Sequence, residues 1–239
     1  MPLVWNLGHD NVRVIHLGKL VRSVWDKGDH GKQTCPIVFD GRNEKLTCGI
    51  EGGLLLIAGS VSQSSAVLDA RGVQIPLVAL DSGGDAVLCL EGCEDCKLGM
   101  IVNLASEPGG KTGETVDLNS SNRGITIDRL VGERSQEIID CNGSHADVKE
   151  IVSIGKPQKL LCFTVRSGQR FTSRPACPDR LDVWQATVLE DAADVRRRIE
   201  VPKLPDALPR FTVKATVEVT MKDGSKKEYT KEVEIDVRK

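Results

Sequence analysis

A chain of 239 residues has room for one large domain or two of about 100–150. Its residues are 40% apolar but only 3% aromatic, so its cores must be built from Val, Leu, Ile and Ala. The net charge of −2 and the scarcity of rings argue against a polybasic, base-stacking nucleic-acid binder, and the lack of any 18-residue apolar run excludes a helical membrane span.

In chain order, strand signals dominate. "VRVIHLGKLV" (12–21), "PIVFD" (36–40), "EKLTCGI" (44–50) and "GLLLIAGSV" (53–61) are short runs rich in Val, Ile and Leu. "VQIPLVAL" (73–80), "DAVLCL" (85–90) and "GMIVNLA" (99–105) follow, each punctuated by Gly, Asn, Asp or Ser. Residues 106–124, "SEPGGKTGETVDLNSSNRG", carry almost no apolar content and read as a linker or long loop. A second group contains "GITIDRLV" (124–131), "QEIIDC" (136–141), "VKEIVSIG" (148–155), "QKLLCFTV" (158–165) and "LDVWQATVL" (181–189).

Only "DAADVRRRIE" (191–200) tempts a helical reading, and it is short. Beyond it, Phe211, Val213, Ala215, Val217 and Val219 alternate with polar residues. Tyr229, Lys231, Val233, Ile235 and Val237 form a second alternating set, and "KDGS" supplies an Asp-Gly turn between the two runs. The reading is all-β: two tandem β-sandwich domains, 1–110 and 111–239, stabilised by disulfides.

The charge is unevenly spread. Residues 1–120 hold 10 Lys/Arg against 15 Asp/Glu, and residues 121–239 hold 22 against 19, so the second half is where an acidic partner is expected. The opening "MPLVWNLGHD" lacks the regions of a signal peptide, which leaves a cytosolic protein or a mature chain to which Met1 was added. Eight cysteines and the sequons at Asn119 and Asn142 favour an oxidising compartment and a glycoprotein.

Cys89, Cys93 and Cys96 fall within eight residues. A zinc site would need a second knuckle beside "CEDC", and a redox motif would need a basic or βα setting; neither is present. Disulfides between strand ends explain more, with Cys48–Cys89 and Cys35–Cys96 the expected pairs and Cys93 an alternative partner. Each such bridge would contribute about 3–4 kcal/mol in the chain-entropy model.

With strands and cysteines placed, the pattern resembles the SRS surface antigens of apicomplexan parasites and their 6-Cys relatives. "EKLTCG" and "DAVLCLEGCEDCKLGMIVNLASE" look like a first-domain strand-Cys element and closing hairpin. "KLLCFTV" at Cys162, "PACPDRLDV" at Cys177 and "IEVPKLPDALPRFTVKATVEV" look like their second-domain counterparts. The closing hairpin of the second half has no cysteine, so Cys141–Cys162 or Cys162–Cys177 would replace the family's bridges there.

The resemblance implies a GPI-anchored, secreted or cell-surface antigen whose lipid anchor lies beyond this sequence, acting in adhesion or immune engagement without catalysis or cofactor. Its partners would be a host glycan or receptor, antibodies and a second copy of itself. An anionic glycan would meet Arg166, Arg170, Arg174, Arg180, Arg196, Arg197 and Arg198 through charge-assisted hydrogen bonds. The alternatives are an intracellular or viral structural β-protein acting through assembly contacts, with its cysteines as packing residues, and a lipid-carrying sandwich. His9, His16, His30 and His145 form no spaced set, Ser144-His145 lacks a nucleophile-elbow context, and "PGGKTGE" fails the phosphate-loop spacing.

Overall fold

The computed structural model describes residues 3–7, 12–17, 38–40, 54–61, 65–68, 71–82, 86–103, 114–118, 121–133, 138–141, 144–155, 171–172, 180–200 and 210–236. They form seventeen strands. The first eight are β1 (Leu3–Leu7), β2 (Val12–Leu17), β3 (Val38–Asp40), β4 (Leu54–Val61), β5 (Ser65–Leu68), β6 (Gln74–Ser82), β7 (Ala86–Glu91) and β8 (Lys97–Asn103). Then come β9 (Glu114–Leu118), β10 (Ile125–Glu133), β11 (Ile139–Cys141), β12 (His145–Ile154) and β13 (Phe171–Thr172). The last four are β14 (Arg180–Leu189), β15 (Ala192–Glu200), β16 (Arg210–Met221) and β17 (Lys226–Asp236).

Strand order gives the architecture. One sheet runs β1-β2-β4-β6-β8-β10-β12-β14-β13, a second runs β11-β9-β7-β5-β3, and β15-β16-β17 form a third. From β4 to β14 the wide sheet is parallel, and so is the five-stranded sheet throughout. From β4 to β12, successive strands alternate between these two sheets, so each turn of the chain adds one strand to each. The chain therefore winds as a coil of stacked rungs, each rung resting on its neighbours.

The all-β expectation holds among the described residues, and two sheets face each other across a core as in a sandwich. The expected division at 110/111 falls between β8 and β9. Pairing crosses it in both sheets, β8 with β10 and β7 with β9, so the strands on its two sides form common sheets rather than two tandem ones. Residues 106–124, read as a linker, contain β9, whose Val116 and Leu118 are fully buried. Two apolar side chains in "ETVDL" suffice there because β9 is paired along its length with β7. Residues 192–200 are a strand, since pairing with β16 supplies the backbone partners that a short isolated helix would lack.

The inner core lies between the two parallel sheets. Ile75 and Val78, Leu98 and Ile101, Ile127 and Leu130, and Val148 and Ile151 all belong to it, three residues apart rather than two. Each of these strands bends once, and the bends stack, because the residues either side of each bend pair rung to rung. The outer side carries Leu77, Ala79, Met100, Val102, Val131, Val152 and Ile154 into a second core. The meander β15–β17 closes that core with Val213, Ala215, Val217, Val219, Tyr229 and Val233, the apolar sets that the alternation placed on one face. Its β16–β17 turn is closed by Gly224 at φ 84°, with Asp223 accepting from the Ser225 N–H and hydroxyl.

A buried polar ladder ties three successive turns together. Asn122 accepts from the Cys93 N–H at 2.9 Å and donates its amide to the Leu90 carbonyl at 2.9 Å and to Ser144 Oγ at 3.0 Å. Ser144 in turn donates to the Leu118 carbonyl at 3.2 Å. At corners where the sheet ladder ends, these side chains satisfy backbone groups that burial would otherwise leave unpaired.

Candidate functional site

On the outer face of the wide sheet, register places two columns of side chains side by side. Gln74, Lys97, Thr126, Asp147 and Asp182 are cross-strand partners in sequence. At the stacked bends, the same register aligns Pro76, Gly99, Asp128, Lys149 and Trp184. The meander covers the part of this face beyond the bends and stops short of these columns, so its edge stands as a wall beside them.

A cleft of about 430 Å³ lies at that wall, lined by Gln74, Pro76, Lys97, Leu98, Gly99, Thr126, Asp128, Lys149 and, from the meander, Lys231. Gly99 forms its floor. A Cβ there would sit 2.1 Å from the Pro76 carbonyl oxygen, so no other residue fits without moving backbone. Lys231 reaches the cleft because it occupies the coil-facing set of β17, between buried Tyr229 and Val233.

Three ammonium groups face one carboxylate in the cleft. Lys149 Nζ bonds Asp128 Oδ1 at 2.5 Å, and that hydrogen bond, with the charge behind it, raises the Lys149 pKa above its ordinary value. Lys97 and Lys231 have no ion-pair partner among the described residues, so among the lining residues three ammonium groups stand against one carboxylate. Farther along the face, the Trp184 indole is half exposed and donates its N–H to the Asp147 carboxylate. On the other flank, Arg129 bonds Glu150 at 2.6 Å and lies 5.7 Å from the centroid of the Tyr229 ring, joining coil to meander.

The residues expected from sequence fall elsewhere. Arg196 pairs with Asp194 at 3.2 Å and Arg198 with Glu200 at 2.8 Å. Arg197 lies on the opposite face of β15, half-buried in line with Val195 and Ile199. Strand alternation therefore splits the triplet, and neighbouring acids offset the two that remain exposed. Arg166, Arg170, Arg174, Asn119, Asn142, Cys35, Cys48, Cys162, Cys177, His9 and His30 lie outside the described residues, as does the side chain of Arg180. Ser144 serves the buried ladder, and His145 is exposed at the start of β12.

The expected partners of Cys89 and Cys96, Cys48 and Cys35, lie outside the described residues; among the four described cysteines, Cys89, Cys93, Cys96 and Cys141, no disulfide joins any two. Cys93, Cys96 and Cys141 instead donate their thiols to the carbonyls of Glu91, Glu94 and Ser144 at 3.4–3.5 Å. All three belong to the inner core, where they fill space as small apolar side chains. A hydrogen bond from the Cys93 side chain lowers the Cys96 pKa, more than burial raises it. Among the described residues no group of three His, Cys, Asp or Glu is arranged to hold a metal.

The cleft escaped sequence reasoning because its lysines are far apart in the chain, on β8, β12 and β17. One signal was present: Lys231 interrupts the otherwise apolar set Tyr229, Val233 and Ile235 of β17. No protein-family model, no curated protein and no solved structure matches this chain.

Proposed function

We propose that this chain is a non-catalytic binding module whose ligand is an anionic glycan seated in the cleft at Lys97, Lys149 and Lys231. The observation that carries the reading is the cleft itself, in which two lysines with no acidic partner among the described residues converge beside the amide of Gln74 and the hydroxyl of Thr126. Ammonium groups bind carboxylate or sulfate, and amide and hydroxyl groups meet sugar hydroxyls. This keeps the class of ligand expected from the sequence and moves its site from arginines to lysines. A cell-surface or secreted setting, as the SRS resemblance implies, belongs to the same proposal.

Retention on a heparin column at modest salt tests it. Lys97→Gln with Lys231→Gln is expected to weaken binding about tenfold or more, since a charge-assisted hydrogen bond contributes about 1.5–3 kcal/mol. Arg196→Gln with Arg198→Gln is expected to leave retention almost unchanged. The reverse pattern would discard the cleft.

A second reading, the intracellular or viral structural protein, is favoured by the placement of Cys93, Cys96 and Cys141 as packing residues of the inner core, each sulfur bonded to a nearby carbonyl. Blocking thiols before lysis and mapping the unreduced protein separates the settings. Bridged cysteines would support the surface setting, and eight blocked thiols would support the internal one.

A further inference from the structure

The outer face of the wide sheet changes character along the stack of rungs, and that change bears on what kind of glycan it fits. At the β8 end stand Lys97 and the meander's Lys231. At the β14 end stand Trp184, half exposed, with Asp147 and Asp182 in the adjacent column. Trp184 is the only large hydrophobic side chain exposed among the described residues. Its ring is held rather than loose, because its indole N–H is bonded to the Asp147 carboxylate of the neighbouring strand.

Resting on the glycan reading of the cleft, we propose that Trp184 and Asp147 form a second subsite on the same face. The ligand is then an oligosaccharide with an acidic sugar at Lys97 and Lys231 and a neutral pyranose over Trp184. The C–H face of a pyranose stacks on an indole ring, and carboxylates accept hydrogen bonds from uncharged sugar hydroxyls. The same carboxylates repel an acidic group, so the two ends of the face select opposite kinds of ring. From β8 to β14 is three strand spacings, about 14 Å. That distance requires several linked rings rather than a monosaccharide. Single-stranded nucleic acid is the weaker fit. It needs a succession of stacking rings and a uniformly positive track, and here one ring stands beside two carboxylates.

Calorimetric titration of the full chain with two probes tests this: glucuronate, and a hexasaccharide alternating glucuronate with N-acetylglucosamine. Trp184→Ala is expected to weaken the hexasaccharide about fivefold and leave glucuronate unchanged, with Trp184→Phe recovering part of the loss. Lys97→Gln with Lys231→Gln is expected to weaken both. Loss with the lysine variant but none with Trp184→Ala or Trp184→Phe would overturn the second subsite and leave the cleft standing. No effect of either change on either probe would remove the cleft reading itself. Displacement of the hexasaccharide by oligothymidylate, dependent on Trp184, would assign the face to nucleic acid and overturn the proposal.

Discussion

Strands β6, β8, β10 and β12 bury side chains on both faces, whereas β16 and β17 bury one face and leave the other largely half-buried or exposed. In the coil, Ile75 and Val78 enter one core while Leu77 and Ala79 enter the other, so "QIPLVAL" is almost unbroken in apolar residues. In the meander, Val213, Ala215, Val217 and Val219 alternate with Thr212, Lys214, Glu218 and Thr220, which are exposed or half-buried, and with Thr216, which is buried. The contrast follows from pairing. A parallel strand inside a three-layer stack has no wet side, while the meander is the outermost layer and has one. The backbone is also handled differently. The meander turns on local chemistry at "KDGS", whereas the coil corners depend on Asn122 and Ser144 bonding to turns 22–32 residues away in sequence.

That difference can be broken at its strongest point by Asn122→Ala. It strands the Cys93 N–H and the Leu90 carbonyl in the interior, at about 1–3 kcal/mol for each group left unpaired. Chemical denaturation is expected to show a loss of several kcal/mol, and a loss below about 1 kcal/mol would mean that the ladder does not hold the rungs. Leu98→Ala, in the inner core, is expected to cost about 2–5 kcal/mol in the same assay.

Gly224→Ala sharpens the comparison from the meander side. Its φ of 84° is left-handed, so a side chain there is expected to cost about 1 kcal/mol. Open space around it removes any packing contribution, so a larger loss in thermal melts would point to a role beyond the turn.

The junction between the two regions gives the smallest effect, and a pH-dependent one. Tyr229 has its pKa raised, chiefly by burial and then by the Glu150 carboxylate, against the lowering effect of Arg129. A raised phenol pKa means that the folded chain holds the proton more tightly than the unfolded chain. Its contribution is therefore constant below about pH 10 and falls as pH rises through that value. Melting temperatures between pH 9 and 11 are expected to fall less steeply in Tyr229→Phe than in the parent chain. Equal slopes would place the phenol in water.

Much of the strand content was legible, because short apolar runs between Gly, Asn and Asp announce strands whichever partner they take. The runs at 53–61, 73–80, 85–90 and 181–189 lie where β4, β6, β7 and β14 are observed. β9 was not legible: "ETVDL" is too short and too polar to stand out, and its identity comes from pairing with β7. The charge imbalance pointed to a basic surface in the second half. The cleft instead draws Lys97 from one half and Lys149 and Lys231 from the other.

The sequence by itself determined that the described residues are all-β, that their cores are aliphatic, and that residues 211–236 form a hairpin with one dry face. Those properties are local: a period of two, a turn dipeptide and a composition. Tertiary structure alone decided that the earlier strands wind as a parallel coil and that their bends stack. It likewise decided that Cys93, Cys96 and Cys141 pack in the inner core and that three distant lysines meet over Gly99. Parallel pairing joins residues separated by a whole turn of chain, here some twenty to thirty-five residues. No local pattern records which run will lie beside which.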